Sequence, residues 1–205
     1  MNNPWLALAM RIQGIAQAGL SYADNPYDRE RYGELRQIAA EMLAAAIDIP
    51  VRKIHHLFCT ESGYQTPKVD TRAAVFKDGK ILLVHERNGS WAPPGGWCDV
   101  DQSVASHTKK EVREEAGYTV VSEKIIAVRG WRRHNVTNYA YGVIKLFVLC
   151  RYEGGSFVPN PETTEIGLFT KEALPEHLAA EKSARDQIRM CFDSFENPTL
   201  PTLFD

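Results

Sequence analysis

Residues 95–118 read GGWCDVDQSVASHTKKEVREEAGY, and the fold turns on why one short helical segment crowds Glu111, Glu114 and Glu115 together. Ser103 offers a capping oxygen and Gly117 a residue suited to the left-handed conformation, so the pattern predicts a helix body from Val104 to Ala116. At about 100° per residue, His107, Glu111, Glu114 and Glu115 share one face, beside an apolar stripe of Ala105, Thr108, Val112 and Ala116. Like charges at this spacing repel by roughly 0.2–0.5 kcal/mol per pair. Two readings offset that repulsion: a bound Mg2+, which favours clustered hard oxygens, or a solvated face paired with Lys110 and Arg113.

Upstream, GSWAPPGGW places two prolines before Gly95 and Gly96, which permit close backbone approach to a ligand. Farther out, TRAAVF and KILLVHER flank KDG, a turn that joins antiparallel strands, and a further strand is expected in each of YTVVSEKIIAVRGW and YGVIKLFVLCRYEGG. Helices are expected around KEALPEHL and SARDQIRMCFDSF. The amino-terminal part reads as a helical hairpin interrupted at Gly19 and SYADNPYD; it is expected to pack on the rest of the chain or on its twin in a homodimer. VRKIHHLFCTESGYQTPKVD reads as a linker with one short strand, and the domain boundary is placed near residue 62. The expected architecture is α/β, a mixed sheet with helices against it.

The 205 residues are 44% hydrophobic and 24% charged with a formal net charge of -2, so a soluble protein of one or two domains is expected and no basic surplus favours nucleic acid. Cys59, Cys98, Cys150 and Cys191 lack CxxC spacing and read as buried free thiols. No basic leader or membrane-length apolar run is seen, which gives a cytoplasmic protein without a membrane partner as the expectation.

Gly96, five residues, Gln102, seven residues, then KEVREEAGY from Lys110 to Tyr118 resembles the Nudix box, G-x5-E-x7-R-E-U-x-E-E-x-G-U. Gln102 stands where the family usually has Glu, and Lys110 where it has Arg. The likeness extends over roughly residues 65 to 190, and AQAGLSYADNPYDRERYGELRQIAAEML with GGWCDVDQS resembles a bacterial subgroup of ADP-ribose and CDP-choline pyrophosphatases carrying a helical extension. The resemblance implies a Nudix-type α/β/α sandwich at 63–205 behind a hairpin and linker at 1–62, and hydrolysis of a nucleoside diphosphate derivative with Mg2+, Mn2+ being the alternative. ADP-ribose is the first expectation. The alternatives are CDP-choline, RNA ends or strands, and a weakened box serving a ligand-binding regulatory module.

For individual residues, the resemblance implies metal binding by Glu111, Glu114 and Glu115, with Gln102 and Gly95 contributing oxygens; Glu111 alternatively orients the attacking water. Asp99 or Asp101 could substitute for the missing acid at Gln102. Catalysis is assigned to Glu111, Glu114 and Glu162, the last over Glu165 in PNPETTEIGLF. Arg87, Arg132 and Arg133 are the candidate cations for the diphosphate, the latter two also reading as a solvated loop. His107 reads as a packing or solvent residue, and Trp91, Trp97, Trp131 and Tyr139 as base-stacking or core aromatics.

Overall fold

A computed structural model describes residues 4–47, 50–59, 61–135 and 142–205. The described chain forms two compact units, one made of residues up to 67 together with Gly142 and the other of residues 68–135 and 143–205.

The first unit is helical: α1 (Pro4–Tyr22), α2 (Pro26–Ile47) and α3 (Val51–Phe58). Leu6 and Ala9 pack with Ala40, Leu43, Ala44 and Ile54, so α1 and α2 run antiparallel and α3 closes their open end. The expected break falls within SYADNPYD, between Tyr22 and Pro26, and not at Gly19. A Cβ there would lie 2.4 Å from the Tyr32 ring, so the glycine lets that ring lie against the backbone within a continuing helix. Of the segment expected to be a linker with one short strand, the first eight residues instead form helix α3, nucleated behind Pro50, whose carbonyl accepts from the Lys53 and Ile54 amides, while its last three, Lys68 to Asp70, open strand β1.

The second unit is a seven-stranded mixed sheet with β1 (Lys68–Lys77), β2 (Lys80–Glu86), β3 (Trp91–Ala92), β4 (Tyr118–Gly130), β5 (Val143–Gly155), β6 (Thr163–Phe169) and β7 (Leu203–Phe204). Its order is β3-β2-β1-β5-β4-β7, with β6 also pairing β2. β1 and β2 join as the KDG turn predicts, Asp78 and Gly79 taking φ of 51° and 73° so that Lys77 pairs with Lys80. β1 and β5 are parallel and in continuous register from Lys68 with Val143 to Phe76 with Arg151.

Alternation along these strands fills both faces. Ala73, Val75, Leu82, Val84, Val148 and Cys150 meet Val112 and Ala116 of α4 (Val104–Ala116) on one side. Ala74, Phe76, Ile81, Leu83, Phe147 and Leu149 meet Ile188, Cys191 and Phe192 of α6 (Arg185–Glu196) on the other, which makes the α/β/α sandwich. A short α5 (Trp131–His134) follows β4. The helix expected around KEALPEHL does not form: Pro175 lacks an amide, the Arg185 guanidinium donates to the carbonyls of Leu174 and Pro175, and the His177 carbonyl accepts from the Trp91 amide. Cys150 and Cys191 are buried, whereas Cys59 and Cys98 are half-buried; all four are free. No described helix is long and apolar enough to cross a membrane.

Candidate active site

The turn before α4 is laid against the start of β1. Thr71 N–H donates to the Gly96 carbonyl (2.9 Å), Ala73 N–H to Pro94 (2.8 Å) and Cys98 N–H to Val69 (2.8 Å), so the PPGG segment is held as an added edge. Gly95 has φ of 142°, and a Cβ there would sit 1.9 Å from the Thr71 carbonyl oxygen, which no side chain tolerates. Its amide thus reaches the helix beyond, donating to Glu115 Oε2 at 3.0 Å. A Cβ on Gly96 would lie 3.2 Å from Glu111 Oε2. Both carboxylates are therefore pressed toward one glycine turn.

Helix α4 spans the expected residues and is capped as expected: Ser103 accepts from Ser106 N–H, and Gly117 has φ of 67°. Its buried face differs from the expected stripe, because Ala105 is exposed and His107 is buried. His107 Nδ1 meets Thr71 Oγ1 at 3.0 Å, and Nε2 lies 3.3 Å from Glu111 Oε1. Burial lowers the imidazole pKa, favouring a neutral ring, so His107 is a packing residue that also abuts Glu111.

The three acids of the helix are not equivalent. Glu111 has only 15% of its side chain exposed and Glu114 has 59%. Burial raises the Glu111 pKa, with the Glu114 charge adding to it. Burial pushes Glu115 up to about 7, against the opposing Gly95 amide and the positive charge of Arg72. Among the described residues neither Glu111 nor Glu115 has a lysine or arginine within ion-pair distance. Lys110 instead pairs with Asp99 at 2.7 Å and lies 3.7 Å from Glu114. Asp99 is thereby engaged, and Gln102, half-buried in the preceding turn, donates its backbone N–H to the Asp99 carbonyl.

A cleft of about 380 Å³ opens beside Glu115, lined by Glu86, Arg87, Asn88, Pro161, Glu162, Thr163 and Lys182. Asn160, which the sequence reading passed over, ties its far wall to the helix. Its Nδ2 donates to the carbonyls of Glu114 (3.0 Å) and Glu115 (3.3 Å), while its Oδ1 accepts from the amides of Glu162 (3.0 Å) and Thr163 (2.9 Å). The backbone at Glu162 is thus tied to that at Glu115, both residues lining the cleft, and Glu165 lies within β6, paired with His85. Lys182, also passed over, forms an ion pair with Glu86 at 2.5 Å.

Of the candidate cations, Arg87 lines this cleft, while Arg132 and Arg133 are exposed on α5 and are not among its lining residues. Trp131 is buried, Trp91 packs edge-on to Phe169 with centroids 5.0 Å apart, Trp97 is exposed, and Tyr139 lies outside the described residues.

Among the described residues no three His, Cys, Asp or Glu side chains already converge as a metal cage. The donor set nevertheless suits a divalent cation: Glu111 and Glu115 bring hard carboxylate oxygens to one turn, and among the described residues neither is in ion-pair contact with a lysine or arginine. A magnesium site built from few protein ligands, completed by water and substrate phosphates, needs no all-protein cage.

Comparison with known proteins places these features in context. The model of the NUDIX domain matches residues 66–191, and that of the UDP-X-like, N-terminal oligomerisation domain matches residues 3–58. A Bacillus subtilis (strain 168) protein named "Putative ADP-ribose pyrophosphatase YjhB" is 38% identical over 98% of this chain and 97% of its own length. The crystal structure of an ADP-ribose pyrophosphatase from Streptococcus suis is 44% identical, with a TM-score of 0.64 over 68% of this chain and all of that one. A UDP-X diphosphatase structure is 29% identical with the same TM-score over 98% of both chains.

Proposed function

This chain belongs to the Nudix family and is a pyrophosphohydrolase, and we propose that it cleaves ADP-ribose into AMP and ribose 5-phosphate with Mg2+. Nudix hydrolases use divalent metal ions; a bound cation polarises phosphate oxygens and offsets the charge that develops in phosphoryl transfer. The observation that carries the metal assignment is the pair Glu111 and Glu115, partly buried at the Gly95–Gly96 turn and not ion-paired with any described lysine or arginine.

In this reading Glu111 and Glu115 hold the cation, Glu114 completes the set from the exposed side, and the Gly95 carbonyl and Gln102 amide oxygen add neutral donors. Gln102 contributes no charge, and Lys110 steadies Glu114 as a point charge without the fork of an arginine. Glu162, whose backbone amide Asn160 holds, takes the proton from the attacking water as the water oxygen bonds phosphorus and the P–O–P bridge breaks. Arg87, which lines the same cleft, meets the diphosphate.

The match of residues 3–58 to a UDP-X-like domain supports a UDP-linked compound as the second reading. In the same reading residues 1–62 form an oligomerisation module and 63–205 the catalytic domain. Trp5, Leu8, Ile15 and Tyr22 are exposed along one face of α1, which supports pairing of two copies as a homodimer.

The assay is incubation with Mg2+ and, separately, ADP-ribose, CDP-choline, a UDP-sugar and short RNA. AMP release from ADP-ribose at the highest kcat/KM is expected, and preferential UMP or CMP release would move the assignment to that substrate. Glu115→Gln and Glu114→Gln are each expected to lower turnover by at least about 100-fold. Metal-free Glu115→Gln should be no less stable than wild type, since it removes a buried unneutralised acid. Full activity in both variants would reject the site.

A further inference from the structure

Lys182, which lines the same cleft as Glu115, is carried by the segment from Ala179 to Ala184, and that segment is braced by buried side chains. Three consecutive carbonyls are held by buried side chains: Asn135 Nδ2 donates to Ala180 (2.8 Å), and Lys145 Nζ donates to both Glu181 (2.9 Å) and Lys182. Asn135 is locked in turn by Gln187, whose Oε1 also accepts from the Ala184 amide at 2.8 Å. Lys145 is only 2% exposed and is countered by Asp70 at 3.4 Å, which itself holds Arg72 in a two-pronged pair. The Ala179 carbonyl receives the Lys182 and Ser183 amides, and its own amide reaches Trp91.

This bracing sets the position of one charged side chain. Lys182 projects into the cleft, one-third exposed, and pairs there with Glu86. The cleft carries three carboxylates, Glu86, Glu115 and Glu162, against two cations, Arg87 and Lys182. A diphosphate entering it meets net repulsion unless a cation faces it.

We propose that Lys182 is a substrate-binding residue whose ammonium leaves Glu86 for the diphosphate oxygens, and that buried Lys145 is the positioning residue that fixes the loop carrying it. The inference rests on the diphosphate-hydrolase reading above and adds a contact absent from it. An ammonium on a braced, partly desolvated segment binds phosphate more strongly than one on a free chain, because less side-chain and loop freedom is lost.

Steady-state kinetics and calorimetry with inorganic pyrophosphate plus Mg2+ test the two residues together. Lys182→Gln is expected to raise KM and weaken pyrophosphate binding by about ten-fold or more, with kcat altered by less than about three-fold. Lys182→Arg, which keeps the charge, should stay within about three-fold of wild type. Lys171→Gln, removing an equal charge from an ion pair outside the cleft, should match wild type. Lys145→Met should reproduce the KM effect, and adding it to Lys182→Gln should cause little further loss.

Unchanged KM and pyrophosphate affinity in Lys182→Gln would overturn the proposal, as would absence of pyrophosphate binding by wild type. Additive losses in the double variant would remove Lys145 from it. Wild type that binds pyrophosphate through Lys182 yet leaves ADP-ribose intact would sink the substrate reading and leave this contact standing.

Discussion

At the residue scale, Gly95 is the position where backbone geometry and chemistry are one requirement. Its φ of 142° and the 1.9 Å approach to the Thr71 carbonyl both exclude a side chain, and its amide is what meets Glu115. Gly95→Ala is expected to destabilise the protein by about 2 kcal/mol or more and to reduce turnover with it. Urea unfolding with parallel assays would show this, and wild-type stability in the variant would contradict the geometry. A glycine pair after a proline pair marked this turn in the sequence, but the partner carbonyl lies on β1, more than twenty residues away, and no local pattern announces it. His107 shows the same limit. Its place on the acidic face was legible, whereas its burial against Thr71 depends on what the sheet sets opposite.

At the scale of elements, α4 was read to its end residues because its stop signals are local: a serine oxygen for the first amides and a glycine for the left-handed exit. Elements whose fate depends on neighbours are not legible in this way. KEALPEHL has helical composition, yet it pairs with Trp91, and VRKIHHLF becomes helical when Ile54 finds a core. The parallel β1–β5 pair carries a further consequence that no periodicity reveals, the burial of Lys145 beside Asp70 and Arg72. Burial lowers the Lys145 pKa from 10.5 to about 8 despite the nearby Asp70 charge. Between these values the unfolded chain holds a proton that the folded chain has released, so rising pH stabilises the fold through this group. Relative to Lys145→Met, wild type should gain up to about 3 kcal/mol between about pH 8 and pH 10.5. Urea unfolding of both proteins across that window checks the sign; a constant or shrinking difference would refute it.

At the scale of the whole molecule, the exposed stripe on α1 is the feature that a single copy does not account for. Leu8, Ile15 and Tyr22 recur at seven-residue spacing with Trp5 one turn earlier, and Ile15 is 61% exposed. In a symmetric pair each substitution acts twice, and burying one such side chain contributes about 1.5–3 kcal/mol. Ile15→Asp is therefore expected to shift the protein from dimer to monomer in light scattering at micromolar concentration while leaving its helical circular dichroism intact. A wild type that is itself monomeric, or a variant that stays dimeric, would dismiss this face as the interface.

By itself the sequence determined the α4 body and its caps, the two-residue turn between β1 and β2, the alternation that fills both faces of the sheet, and the box of spaced acids that marks the family. These follow from contacts within a few residues or from simple periodicity, so the order of residues suffices. Only the tertiary structure decided which acids are buried and which is exposed, that Arg87 shares a cleft with Glu162 while Arg132 and Arg133 stand elsewhere, and that Lys182 belongs there at all. The cleft is assembled from positions 86, 115, 162 and 182, and both the burial that shifts a carboxylate and the bracing that aims a lysine arise from surfaces the chain brings together only when the sheet has closed.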